Sequence, residues 1–151
     1  MHYTNAMLLE SLRISCLVPL ALPHYTHDDV TIGPYIIPKG TTIIPSLMSV
    51  NLDPDHFHDP HRFDPTRFLD ERGEFKPDEH VVSFSIGKRY CLGQSLAEKE
   101  LFLFFAGIMQ RFDLNPGQNQ ELPSYHIKDS TARGQIRSAP SFTLILTERN
   151  I

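Results

Sequence analysis

Apolar residues near the start of the chain recur at helical spacing. Ala6, Met7, Leu8, Leu9, Leu12 and Ile14 follow Thr4 and Asn5, either of which can cap a helix, and Pro19 and Pro23 stop it. The pattern then changes: Val30-Thr31-Ile32 and Tyr35-Ile36-Ile37, β-branched and aromatic, flank Gly33-Pro34 and predict a β-hairpin. Pro38-Lys39-Gly40 turns the chain into a third short strand, Thr41 to Ile44. From about Leu52 to Val82 periodicity fades among Pro, Asp, His and Arg, which predicts an ordered coil with short helical turns. A coil of that length is uncommon and often functional. Gln94 to Gln110 carries the strongest helical pattern, with Leu96, Ala97, Leu101, Phe104, Phe105 and Ile108 in register. Phe102, Leu103 and Met109 make this helix apolar nearly all round, so it is expected to be buried. Beyond Pro116-Gly117 the chain is polar until Phe142 to Leu146, a terminal strand. The fold class is mainly α with small β-sheets, in one unit over residues 1–151.

Composition changes this picture little. In 151 residues, 40% are hydrophobic and 21% charged, with a formal net charge of −4, so nothing draws the whole chain toward nucleic acid or anionic lipid. Twelve prolines and no tryptophan fit a loop-rich chain. The longest apolar run, Leu101 to Met109, is far short of the ~20 residues of a membrane span. No targeting signal is recognisable. Met1 stands just ahead of a helix already under way, and the natural protein is expected to begin earlier. Of the two cysteines, Cys16 and Cys91, one is expected to act as a functional thiolate, although a lone disulfide is an alternative.

The chemistry concentrates between the coil and the last helix, in Phe84-Ser85-Ile86-Gly87-Lys88-Arg89-Tyr90-Cys91-Leu92-Gly93. A thiolate that ligates haem iron needs low polarity around it, backbone N–H groups aimed at sulfur, the positive end of a following helix, and a cation for the haem carboxylates. Phe84 as an apolar shield, Gly87 and Gly93, the helix from Gln94, and Arg89 supply these in turn.

The stretch resembles the cytochrome P-450 signature F-x-x-G-x-R-x-C-x-G at every fixed position and continues into Leu96-Ala97 and Glu100 as that family's helix does. Glu10-Ser11-Leu12-Arg13 is similar to the family's E-x-x-R helix, and Pro65-Thr66-Arg67-Phe68 to its P-x-R-F segment, with Thr66 where a glutamate is usual. The resemblance implies the C-terminal part of that fold, incomplete on its own: E-x-x-R helix, hairpin, meander coil, Cys-ligand loop, buried helix and terminal strand. It implies Cys91 as axial ligand to the iron of haem b, Arg89 and His24 beside the haem propionates, and Glu10, Arg13 and Arg67 as a structural triad. His24 reads equally well as an ordinary loop histidine. Val18 to Leu22 and the turn around Arg133 to Ser138 are implied as lining of the substrate pocket. His56, His58 and His61, among Asp53, Asp55 and Asp59, read as solvated or locally hydrogen-bonded loop residues rather than metal ligands.

For function, the resemblance implies a monooxygenase that puts one atom of dioxygen into an apolar small molecule, with electrons from an NADPH-dependent flavoprotein reductase. The setting it implies is the cytosolic face of the endoplasmic reticulum, reached through an N-terminal anchor that is not in these residues. The family's long central helix, with its acid–threonine pair, is not in this chain either, and no catalytic residue is assigned. Two alternatives stand beside this one: a non-catalytic remnant, and a relative that rearranges peroxides without electrons.

Overall fold

The computed structural model describes residues 1–117, 131–133 and 135–150. Helix α1 (His2–Ser15) begins four residues earlier than its apolar pattern. Neither Thr4 nor Asn5 caps it: the cap is Met1, whose side chain makes no capping bond and whose carbonyl accepts from the Asn5 N–H at 3.2 Å. It stops before the prolines are reached. Cys16 turns left-handed (φ 36°) and returns its N–H to the Leu12 carbonyl, a cap more often made by glycine.

The expected hairpin forms, with β2 (Val30–Ile32) antiparallel to β3 (Tyr35–Ile37) about Gly33 at φ 57°. The third strand, β4 (Thr42–Ile43), does not extend the hairpin; it pairs with β1 (His24–Tyr25), a strand with no pattern of its own. Helix α2 (Leu47–Asn51) is capped by the Ser46 hydroxyl, which accepts from the Ser49 N–H. The long coil is ordered as expected, by turns and a 3-10 helix at Pro65–Phe68 whose N-cap, Asp64, accepts from the Thr66 N–H.

Helix α3 (Gln94–Arg111) has the expected bounds within one residue, but not the expected burial. None of its residues is buried, and Leu96, Leu101, Leu103, Phe104 and Ile108 face solvent. Its first half meets α1 along a groove that includes Leu8, Leu9, Leu12, Leu101 and Phe102, and nothing among the described residues covers the opposite side. Past α3 the chain runs straight into β5 (Phe112–Pro116), which pairs with β8 (Leu144–Glu148), so the terminal strand lies two residues later than its pattern. A last pair joins β6 (Thr131–Arg133) and β7 (Ile136–Ser138).

Two small apolar clusters hold the described core. Ala6 of α1 packs with Phe57 and Phe68 from the coil, and Cys16 packs with Ala21, Leu47 and Val82. The largest fully buried side chains include Arg13, Glu10 and Asn51, so polar pairing organises the space between α1 and the coil.

Candidate functional site

The site is built on a buried polar frame. Glu10 and Arg13 are both 0% exposed. Arg13 donates from Nε and Nη2 to the two oxygens of Glu10 at 2.6 and 2.8 Å, a bidentate fork made possible by their spacing on one helix face. Arg13 Nη1 donates onward to the carbonyls of Asn51 (2.8 Å) and Pro60 (2.9 Å), and the Arg13 guanidinium lies over the Phe57 ring at 4.9 Å. Glu10 Oε1 also accepts from the Asp64 N–H at 2.9 Å and faces Arg67 Nε at 3.4 Å. Arg67 spends its outer nitrogens on the carbonyls of His58 and Asp59, while its Nε has no hydrogen bond. The structure thus brings Glu10, Arg13 and Arg67 together and ties them to the backbone at Asn51, His58, Asp59, Pro60 and Asp64. Thr66 has its own place: its hydroxyl and N–H donate to Asp64, and these bonds, with the Arg67 and Arg62 charges, hold the Asp64 carboxyl below its ordinary range.

Asn51, which sequence reasoning missed, carries the frame toward Cys91. Its side chain accepts from the Val82 N–H (2.8 Å) and donates to Ser83 Oγ (2.9 Å), and Ser83 in turn donates to the Leu12 carbonyl. A lone asparagine at the end of a five-residue helix carries no periodic signal. The chain leaving this clamp turns at Ser85 (φ 64°) and Gly87 (φ 70°) into a short 3-10 helix, Gly87–Arg89. The Cys91 N–H donates to the Phe84 carbonyl at 2.9 Å, closing the loop, and Gly93 is the N-cap of α3. Cys91 is therefore an exposed, free thiol two residues ahead of the N-cap of a helix of about five turns. Gly87 needs its glycine for a left-handed backbone. Gly93 does not: its φ is −84°, and a Cβ there would meet only Cys91 Sγ at an ordinary 3.7 Å. Nor does any N–H among the described residues donate to Cys91 Sγ, so the glycines do not aim backbone donors at the sulfur in this structure.

The match to known proteins follows the same residues. The profile of the family described as Cytochrome P-450 covers residues 1–137. The chain belongs to the cytochrome P-450 family. It is 45% identical to cytochrome P-450 2C23 of Rattus norvegicus over 97% of this chain, and 43% identical to farnesoate epoxidase of Bombyx mori over 99% of it. Cytochrome P-450 2C54 of Mus musculus is 51% identical over 77% of this chain. The chain spans 29% of the length of the first two relatives and 24% of the third.

A P-450 haem asks for a soft sulfur ligand on an apolar platform, and the residues present fit that request. Cys91 is unpaired and open, and its chain neighbours Ile86, Leu92 and Leu96 expose 69%, 91% and 63% of their surface. Phe84 lies half-buried behind the loop. Arg89 and His24 are exposed, the latter on β1, and neither side chain has a hydrogen bond or ion pair to another described residue. Of the implied pocket segments, the turn reaches the residues just ahead of Val18: Arg137 of β7 donates from its N–H to the Leu17 carbonyl and from Nη1 to the Ser15 carbonyl, both at 2.8 Å. Gly134 and the side chain of Arg133 lie outside the described residues. Of the loop histidines, His58 and His61 are exposed, whereas His56 bonds Asp78 rather than its neighbouring aspartates.

The two thiols are expected to differ sharply in reactivity. Cys16 is sealed in the core, where burial pushes its thiol above the ordinary range against smaller opposing effects of Asn51 and Arg137. A maleimide applied to the native chain should label Cys91 at once and Cys16 more than about tenfold slower, at the rate of local opening. Mass spectrometry of timed digests checks this, and equal labelling would mean that Cys16 is not in a closed core.

Proposed function

We propose that this chain is the haem-binding part of a monooxygenase, with Cys91 as the axial ligand to haem iron. The observation that carries the reading is the free, exposed Cys91 at the head of α3, seated on an apolar surface. Haem bound there would supply the activation of dioxygen, one atom going into an apolar substrate and the other leaving as water. Phe84 shields the loop, Gly87 sets its turn, Gly93 caps α3 beside the sulfur, Arg89 offers a cation to the haem carboxylates, and His24 offers them a ring N–H donor. Glu10, Arg13 and Arg67 hold the coil from which the loop departs. Electrons would come from an NADPH-dependent flavoprotein reductase; Lys88 and Lys99, both exposed, flank the thiolate loop where an acidic partner can be steered. One relative is named for epoxidising farnesoate, which fits insertion of oxygen into an apolar compound. The setting consistent with this is the endoplasmic reticulum membrane, although among the described residues no helix is long and apolar enough to cross a membrane.

The test is spectroscopic. In a protein of the relatives' length carrying this segment, the reduced carbonyl complex should show the strongly red-shifted Soret band of thiolate ligation. Cys91→Ser should abolish that band and Cys16→Ser should keep it. A surviving band in Cys91→Ser overturns the assignment. A second reading, that the chain by itself is a non-catalytic remnant, draws support from the uncovered side of α3.

A further inference from the structure

His56, Asp78 and His80, none of them assigned above to haem or to the buried frame, form a cluster. His56 Nε2 lies 2.8 Å from Asp78 Oδ2, and His80 Nδ1 lies 3.0 Å from Asp78 Oδ1. The two imidazoles stack at 3.6 Å and 26°, so both present a nitrogen to one carboxylate. One donor atom from each residue falls within 4.8 Å of the others.

Three donors from places 22 residues apart meet because core residues hold both arms of the coil. His56 precedes the buried Phe57, whose N–H returns to the Asp53 carbonyl at 2.8 Å, and the His56 ring stands edge-on to the Phe57 ring at 4.6 Å. His80 precedes Val81, which packs against the same apolar cluster as Phe57. The Asp78 carboxylate accepts the backbone N–H of His80 at 2.9 Å, which fixes its orientation. Preorganisation of this kind lowers the cost of gathering ligands.

The geometry points to a binding site for a divalent transition-metal ion of zinc's character, held by His56, Asp78 and His80 and open to water at its other positions. Two imidazoles and one carboxylate are the donors such ions take, whereas calcium and magnesium prefer oxygen alone. A tetrahedral centre with bonds of ~2.0–2.1 Å sets its ligand atoms about 3.3 Å apart. The cluster reaches that spacing if the two hydrogen-bonded contacts open by a few tenths of an ångström and the wider separations, within 4.8 Å, close by up to about 1.5 Å through side-chain rotation. Each ring then carries its proton on the other nitrogen, leaving a lone pair for the metal. The side chains are 34%, 31% and 47% exposed, so an ion can enter from solvent. Bound there, it would clip the turn at residues 53–57 to the stretch at 78–82 that leads into the Cys91 loop.

The full chain carrying Cys91→Ser, which removes the one exposed thiol, should be titrated with Zn(II) against a chromophoric chelator. One equivalent is expected to bind. His56→Gln and His80→Gln should each weaken it by about tenfold or more, while His58→Gln and His61→Gln leave it unchanged. Co(II) should give visible ligand-field bands without a thiolate charge-transfer band. Zinc affinity indifferent to His56 and His80, or reduced equally by His58→Gln and His61→Gln, overturns the site, as does the absence of any stoichiometric binding. Because His56 adjoins the core, a poorly folded His56→Gln leaves the decision to His80→Gln, whose side chain is nearly half exposed.

Discussion

Arg13→Ala is expected to leave the chain without a stable folded state. The guanidinium it removes is fully buried and is the partner of a fully buried carboxylate. Truncating one member of such a pair costs ~3–5 kcal/mol, because the other is stranded as an uncompensated charge. Here the loss goes further, since the carbonyls of Asn51 and Pro60 lose their donor as well. Small domains have ~5–15 kcal/mol in all, and among the described residues this one has two small apolar clusters to draw on. Replacing both Glu10 and Arg13 by leucine should not rescue it, because the Asp64 N–H would also be left bare. Arg67→Ala should be milder: its side chain is 13% exposed, it faces Glu10 at 3.4 Å, and its Nε makes no hydrogen bond. Urea denaturation followed by far-UV circular dichroism separates the cases. An Arg13→Ala chain with the wild-type midpoint would mean that the pair contributes nothing to folding.

That network also shows where sequence reading succeeds and where it stops. Glu10 and Arg13 are legible because three residues of helix bring their side chains to one face, and Arg67 because its segment repeats a family pattern. The dependence of Arg13 on backbone carbonyls 38 and 47 residues away is not legible, because carbonyls have no sequence identity. Asn51 is invisible for a similar reason. The β2–β3 hairpin could be read from its turn, yet the β1–β4 pairing could not, since a two-residue strand has no period. The same holds for His56, whose partners lie across the coil and not among the aspartates beside it. The bounds of α3 follow from its pattern. Its exposure does not, because periodicity reports what a helix would bury and not whether a partner is present.

That exposure sets the other large effect: the chain as it stands is expected to self-associate, and two substitutions on α3 should cure it. Leu103 and Phe104 expose 69% and 70% of their surface, with Leu96 and Ile108 exposed on the same helix. Together they leave on the order of a few hundred Å² of apolar surface in water, the extent at which a patch marks an interaction face. At ~25 cal/mol per Å², covering it is worth several kcal/mol, enough to drive association of two chains. Leu103→Glu falls four residues after Lys99, and Phe104→Lys four after Glu100, so each new charge meets an opposite one along the helix. The double variant should remain monomeric by sedimentation where the wild-type chain forms larger species. Its helical signal should be unchanged, and its stability should lie within about 0.5 kcal/mol per site, as for surface positions. In a protein of the relatives' length the same pair should cost several kcal/mol and the thiolate carbonyl band, because there the face would be covered. A wild-type chain that stays monomeric at high concentration would show that this apolar side of α3 needs no partner, and the chain would then be a self-sufficient unit.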